Sequence, residues 1–472
     1  MIVTPVQTGN SILRPRARLI KTIGEELISN DIVALLELVK NSYDADASII
    51  VIEFDGTVVA EKVGKKEIRK IIRDGSSIQV YDDGTGMTLK TIKDAWMEPA
   101  TISKKKSIKS GKTRRYTGEK GIGRFSSAKL SSELEIITRF EKDNEVVARF
   151  NWKEFENIDL YLDEVECDWE VREPVEFIKP EHGTKLILKN LNSDWDEEKI
   201  RQLRITLQRL INPVVPVTDF LIELRLPKGF ESYSGIVDAP ESLAKPNHSI
   251  RGSVDENGEL TSVYTSKKIG NFDIRKKLLL KSGDSPKTGP FEFDFRVWDR
   301  DNDALREVAS ESETKLNEVK AALNEMSGVS IYRDKFRVLP YGDPKIDWLR
   351  LDLRRVNNPT LRTSNNQIIG FVTIELEKNP DFKDQSNREG IVDSESFEQL
   401  KEFVIAILNE LEVKRYEERP REKENRDGQK GLFNRFSISR VVELVETKLP
   451  NDKDAKSIVA ETEADIQEGV KR

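Results

Sequence analysis

The chain has 472 residues, 37 % apolar and 34 % charged, enough to bury a full core and to form roughly two to three globular domains. Its 77 Lys and Arg are outnumbered by 84 Asp and Glu, and the net charge of -7 excludes a whole-molecule attraction to nucleic acid or to an anionic membrane, leaving only local basic patches for such contacts. Neither an apolar signal core nor a run near the roughly 18 apolar residues of a spanning helix is present, so the expectation is a cytoplasmic protein with no membrane segment.

In chain order, residues 24–47 are predicted as one helix, with Ile32, Leu35, Leu36 and Val39 on its buried face and Glu37, Asn41 and Asp44 along a neighbouring edge. Strands are predicted at "SIIVIEFDG", at 77–83, and at 134–140, 145–152 and 184–191, with a helix over 198–211 that "NPVVP" breaks. After "SIQVYDD" the stretch "GTGMT" makes a turn in which two glycines let backbone approach something closely. This mixture makes an α+β first domain over 1–225, a mostly antiparallel sheet with helices on one face. A second, smaller α+β domain over 226–415 opens with loop-rich sequence. It continues with a strand at 291–298, a long polar helix at 302–326, the strand-like "VSIYRDKFRVLPYGD" and "NQIIGFVTIEL", and a helix at 394–415. Residues 416–472 read as a charged linker and a short helical tail at 437–448. Cys167 is the single cysteine, which excludes an internal disulfide framework and a multi-cysteine zinc site, and reads as a small hydrophobe.

Two phosphate motifs fail on inspection. "SGKT" at 110–113 would put the first glycine of a Walker loop on Lys106, and "GEKGIGRF" at 118–125 has G-x-x-G-x-G spacing with no strand immediately before it, which is not the dinucleotide fingerprint. Its glycines still lead into the helix of "SSAKL" and would expose backbone N–H groups to a phosphate. The basic stretch 103–116, "SKKKSIKSGKTRRY", carries seven Lys or Arg in fourteen residues and is open to three readings: a solvated loop, a cover over a triphosphate, or a nucleic-acid contact.

Four stretches, "ELVKNSYDADA" (37–47), "VYDDGTGM" (80–87), "GEKGIGRFSSAKL" (118–130) and "HGTKLIL" (182–188), occur in the order and approximate spacing of the N box and glycine boxes of GHKL ATPases. Over roughly 15–210 the chain resembles that family, which contains gyrase B, the HtpG-type heat-shock chaperone, histidine kinases and MutL. The resemblance implies a two-layer sandwich of the Bergerat ATP-binding type. It makes Glu37 the general base for the attacking water, Asn41 the Mg2+ ligand and Asp82 the acceptor of the adenine amino hydrogen, with Gly84 and Gly86 clearing space for the base. Met87 and Lys104 join the nucleotide-binding set. Gly118, Lys120, Gly121 and Gly123 form the phosphate cover within a lid at about 97–124, and Thr184 supports the adenine site. The family's usual Asn after the adenine Asp is Asp83 here. His182 reads as structural, and Asp44 as a cap or brace at the helix end.

The second domain resembles that of MORC proteins and their bacterial relatives through "VSIYRDKFRVLPYGD" and "SNREG"; His248, in the loop-like "PNHSIRG", is a poor phospho-acceptor. "DQSNREGIV" is also similar to the loop of the heat-shock chaperone's middle domain that carries an arginine into the ATP site, which makes Arg388 the γ-phosphate sensor and Lys335 the reserve candidate. The resemblance as a whole implies a Mg2+-dependent ATPase switch that closes or homodimerises on ATP, acting on DNA in genome maintenance or defence. The alternative is a chaperone-like or scaffolding ATPase acting on a protein partner.

Overall fold

Alternation of apolar side chains builds the first sheet. The computed structural model describes residues 10, 12–26, 28–64, 66–98, 114, 123–210, 219–385 and 390–418. Within these, the strands in chain order are β1 (Ile49–Asp55), β2 (Val58–Val63), β3 (Lys66–Ile71), β4 (Ser77–Asp82), β5 (Ser131–Arg139), β6 (Glu145–Asn151), β7 (Asp168–Arg172), β8 (Gly183–Leu191), β9 (Trp195–Asp196), β10 (Leu221–Arg225) and β11 (Gly235–Ile236). Eight of the described strands form one sheet in the order β11-β10-β1-β4-β8-β5-β6-β7, antiparallel except for β1 beside β10. The helices on its core face are α1 (Arg18–Glu26), α2 (Asp31–Asp44), α3 (Ser126–Leu130) and α4 (Glu197–Gln208). Register stacks the core in rows. Ile78, Leu188 and Leu134 lie side by side across β4, β8 and β5, and the next row is Val80, Leu186 and Ile136. All six are buried. The opposite face carries a small cluster in which Tyr81 stacks on Phe177 at 5.5 Å.

The helix expected over 24–47 is two helices. Asn30 is the reason: its side-chain oxygen accepts the Val33 N–H at 3.0 Å and restarts the helix as α2. The helix expected over 302–326 is likewise two, α5 (Asn302–Glu311) and α6 (Leu316–Glu325), because Glu313 takes a left-handed conformation with φ 51° between them.

The expected loop-rich opening of the second domain contains three paired strands, β12 (His248–Val254), β13 (Glu259–Ser266) and β14 (Gly270–Lys277). His248 is thus the buried first residue of a strand, with Nδ1 2.9 Å from the Tyr264 hydroxyl. With β15 (Phe291–Val297), β16 (Gly328–Arg333), β17 (Phe336–Val338) and β18 (Ile368–Ile374), these make a sheet in the order β14-β13-β12-β15-β18-β16-β17. After the short α7 (Leu351–Asn357), α8 (Glu395–Glu417) covers one face of this sheet with Phe397, Leu400, Phe403, Val404, Ile407 and Leu408; α5 and α6 pack on part of the other.

By compactness the chain divides into Met1–Arg415 and Tyr416–Arg472, so the two sheets share one unit. Their joint has a buried polar part and an apolar part. Arg209, just after α4, donates to the carbonyls of Glu325 (3.1 Å) and Gly342, while its own carbonyl accepts the Tyr332 hydroxyl at 2.9 Å. Burial pushes the Arg209 guanidinium down to about 9, against which those carbonyls act as its compensation. From the second sheet, Phe336 reaches into the first core and meets the Tyr43 ring at 4.6 Å. No helix among the described residues is long and apolar enough to cross a membrane.

Candidate nucleotide-binding site

The rows that build the core end in a polar row. In β4 the inward positions are Ile78, Val80 and then Asp82; in β8 they are Leu188, Leu186 and then Thr184; in β5, Leu134, Ile136 and then Thr138. Register therefore sets Asp82, Thr184 and Thr138 side by side on the core face, where each strand stops supplying apolar side chains. The Thr138 hydroxyl lies 3.0 Å from that of Thr184 and also accepts the Met87 N–H at 2.9 Å. Asp82 is 5 % exposed. Burial raises its carboxyl from 3.8 to about 6, partly opposed by two neutral donors, the Ser42 hydroxyl at 2.8 Å and the Gly84 N–H at 2.9 Å.

The loop after β4 lies against protein backbone. A Cβ on Gly86, at φ +68°, would sit 1.9 Å from the Arg139 carbonyl oxygen, and one on Gly84 would sit 2.7 Å from that of Ala45. Both glycines are thus required by the chain itself, a reason distinct from the expected clearance for a base. His182 holds the same loop by donating from Nδ1 to the Gly84 carbonyl at 2.7 Å, the structural role expected of it. Asp83 points the other way and accepts the Ser48 and Ile49 N–H groups at 2.6 and 2.9 Å, fastening the start of β1.

Helix α2 supplies the second half of the site. Its N-terminus is held by Asn30 and by Asp31, which accepts from Ser193 at 2.6 Å and pairs with Lys199. One edge carries Glu37, 7 % exposed, then Lys40, whose Nζ lies 3.0 Å from Glu37 Oε1, then Asn41, half-buried. Ser42 follows at once and bonds Asp82, so α2 is hydrogen-bonded to the polar row. Asp44, at the end of α2, is buried.

Arg114 is fixed at this end of the molecule as well. Its guanidinium donates to the carbonyls of Ala47 (2.6 Å) and Asp219 (2.7 Å), pairs with the Asp219 carboxylate at 2.8 Å and stands 4.5 Å from the Tyr43 ring centroid. Arg114 holds the Asp219 carboxyl below its ordinary value, and the charge of Lys335 adds a small share.

The structure brings together Asp82, Gly84, Gly86, Met87 and Thr184 around the polar row, and ties them through Ser42 to α2, the helix that carries Glu37 and Asn41. Gly123 opens the short turn Gly123–Phe125 that leads into α3, which packs on α2. Lys335 is exposed at the tip between β16 and β17, and its charge acts on Asp219. Lys104, Gly118, Lys120, Gly121 and Arg388 lie outside the described residues. Ser42, Thr138 and Lys40 escaped the sequence reading. Thr138 was readable as the last inward position of "LEIITRF", two residues beyond Ile136.

The family model for histidine kinase-, DNA gyrase B- and HSP90-like ATPases matches residues 29–184. Over that span the chain is similar to GHKL ATPases. The match begins beside the Asn30 cap of α2 and ends on Thr184, so it frames both halves of the site just described. The mixed helices and strands within the matched span are consistent with an α+β domain of the GHKL type, and α1, most of β8, β9, α4, β10 and β11 lie beyond it. No curated protein matches the chain.

Proposed function

We propose that the protein is a Mg2+-dependent ATPase working as a molecular switch, and the observation that carries this reading is the Ser42–Asp82 bond, which fastens α2, the helix that carries Glu37 and Asn41, to a buried acceptor. Asp82 accepts the adenine amino hydrogen. An ionised carboxylate has lone pairs to spare beyond the Ser42 and Gly84 bonds, and its burial favours a partner that supplies donors. Thr184 and Thr138 complete that end.

At the other end Glu37 takes a proton from the attacking water, and Asn41 would hold Mg2+ through its amide oxygen. A neutral side-chain oxygen fits that ion, which commonly takes few protein ligands and binds with substrate phosphates and water. Bound Mg2+ would neutralise phosphate charge. Lys104, Gly118, Lys120, Gly121 and Gly123 cover the phosphates in this reading, and Arg388, with Lys335 in reserve, reports them to the second sheet.

ATP would close the chain or pair it with a second copy in the cytoplasm, and the cargo is DNA, as in the MORC-like relatives it resembles. Calorimetry with Mg-ATP tests the first step: no binding, or equal binding by Asp82→Asn, defeats it. Salt-dependent DNA binding strengthened by a nonhydrolysable ATP analogue is expected for the cargo. Absence of DNA binding together with nucleotide-dependent capture of a protein partner would replace DNA with protein.

A further inference from the structure

Strand β14 ends the second sheet with a long bare edge. In the order β14-β13-β12-β15-β18-β16-β17 it has β13 on one side and, on the other, no strand among the described residues. Pairing with β13 is continuous from Glu259 opposite Lys277 to Ser266 opposite Gly270, without a bulge, and β14 holds no proline. Seven of its eight residues are exposed. The outer N–H and C=O groups therefore form an unbroken template for one more strand, of the kind that proteins ordinarily shorten, bend, cover or charge.

The two faces of that edge differ. Phe272, 40 % exposed, shares the α8 side with Ile274, which packs on the core under that helix, and with Lys276, which pairs with Glu410 of α8. Asp273 and Arg275 lie on the opposite side, beside Val263 and Thr261 of β13, along an open trough of about 530 Å3. Neither has a side-chain hydrogen bond or ion pair with any described residue. On the first sheet, by contrast, Arg149 pairs across strands with Glu135 of β5 at 3.1 Å and Glu170 of β7 at 2.8 Å.

Unlike charges flank Ile274 symmetrically, one residue to each side. An antiparallel second β14 centred on Ile274 sets Asp273 against the partner's Arg275 and Arg275 against the partner's Asp273. It also sets Ile274 against the partner's Ile274, and Phe272 against the aliphatic stem of the partner's Lys276. A slip of two residues either way opposes Asp273 to its own copy or Arg275 to its own copy, and like charges directly opposite are destabilising. Charge thus selects the centred register.

We infer that β14 is a docking edge for a second copy of this chain, joining two seven-stranded sheets into one through β14 beside β14. Two reciprocal Asp273–Arg275 pairs fix the register. The edge contains none of the residues assigned to the nucleotide, so this pairing needs no ATP and is separate from the nucleotide-dependent pairing proposed above.

The test is sedimentation of the nucleotide-free full chain from about 1 to 100 μM, with circular dichroism to confirm folding of each variant. The wild type should pass from monomer to dimer over that range. Arg275→Asp and Asp273→Arg should each raise the dissociation constant at least about tenfold, because two attractive cross-strand pairs become two repulsive ones. Asp273→Arg combined with Arg275→Asp rebuilds both pairs in reverse and should recover wild-type association. A chain that stays monomeric throughout, a dimer indifferent to the single reversals, or a double exchange no better than the singles overturns the docking. Register has its own readout. In a Cys167→Ser chain, Ile274→Cys should form an intermolecular disulfide on mild oxidation at least about tenfold faster than Phe272→Cys, since opposite Cα atoms of an antiparallel pair lie about 4.5–5.5 Å apart. Equal cross-linking at the two positions overturns the centred register. No nucleotide is present in either experiment, so failure of the docking leaves the ATPase reading standing.

Discussion

Asp82 and Glu37 are both carboxylates, 5 % and 7 % exposed, yet the chain surrounds them in opposite ways. Asp82 closes a row of core side chains and receives only neutral donors, Ser42 and Gly84, so burial dominates and its carboxyl rises to about 6. Glu37 stands on a helix edge with the Lys40 ammonium at 3.0 Å. A recognition group profits from a fixed rotamer and spare acceptor capacity, and neutral donors supply both without satisfying it. A carboxylate beside an ammonium is instead held in its charged form by that partner.

The comparison breaks most visibly if the two carboxylates are removed in turn. Glu37→Ala should keep nucleotide affinity while hydrolysis falls by about two decades or more, the scale of a lost general base. Near-normal turnover would place Glu37 with the structural carboxylates. Asp82→Asn should do the reverse and weaken ATP binding by about ten- to a hundredfold, since an amide nitrogen facing the adenine amino group leaves buried donors unpaired at roughly 1–3 kcal/mol.

The same Asp82→Asn substitution carries a second expectation of opposite sign. Because the folded-state carboxyl is raised above its ordinary 3.8, it contributes stability fully present below that value and lost as pH rises through about 6. At neutral pH the charged group is therefore a burden on the nucleotide-free fold, and the shift corresponds to an upper limit on the order of 3 kcal/mol. Asp82→Asn should raise the unfolding midpoint of the nucleotide-free protein even as it loses its ligand. A lowered midpoint at pH 7.5, read by calorimetry, would mean that the Ser42 and Gly84 bonds outweigh desolvation.

Much of this site is legible in the sequence alone, and the reasons are local. "SIQVYD" alternates, so the inward position of Asp82 follows from Ile78 and Val80, and the N-box edge follows from helical spacing. What escaped depended on pairing. Nothing in "LEIITRF" alone says that Thr138 would meet Thr184, because that neighbour is set by a register between positions 46 residues apart, and Ser42 gains meaning only beside Asp82. The strands β12 to β14 were hidden for another reason. Ser249, Arg251 and Ser253 alternate with only Ile250 and Val254 as buried aliphatics, and β14 is exposed along nearly all its length, so the apolar period that marks a strand is thin. The break between α5 and α6 needed the left-handed Glu313, a residue type that gives no warning of it.

The pH dependence of binding sharpens the contrast at smaller amplitude. Asp82 must be ionised to accept from adenine, so affinity should fall about tenfold between pH 7 and pH 5 as the carboxyl titrates near 6. The nucleotide's own phosphates titrate over part of this range. The quantity to compare is therefore the wild type against Asp82→Asn, which should lack the carboxylate's share. Parallel profiles for the two chains would detach Asp82 from the base.

The smallest effect belongs to the neighbour. Asp83 accepts both the Ser48 and the Ile49 N–H on a single oxygen, Oδ1, and an asparagine oxygen can take the same two bonds. Asp83→Asn should therefore leave ATP affinity at pH 7.5 unchanged and cost only the charge assistance, about 1 kcal/mol of stability. It should also leave a trace on the titration next door. Asp83 is one of the groups that raise the Asp82 carboxyl, so removing its charge moves the midpoint of pH-dependent binding to more acidic pH by a fraction of a unit. Calorimetric affinities across pH 5 to 7.5 would read that displacement. A large loss of affinity at neutral pH would instead give Asp83 a direct part in holding the nucleotide and dissolve the division of labour between adjacent aspartates.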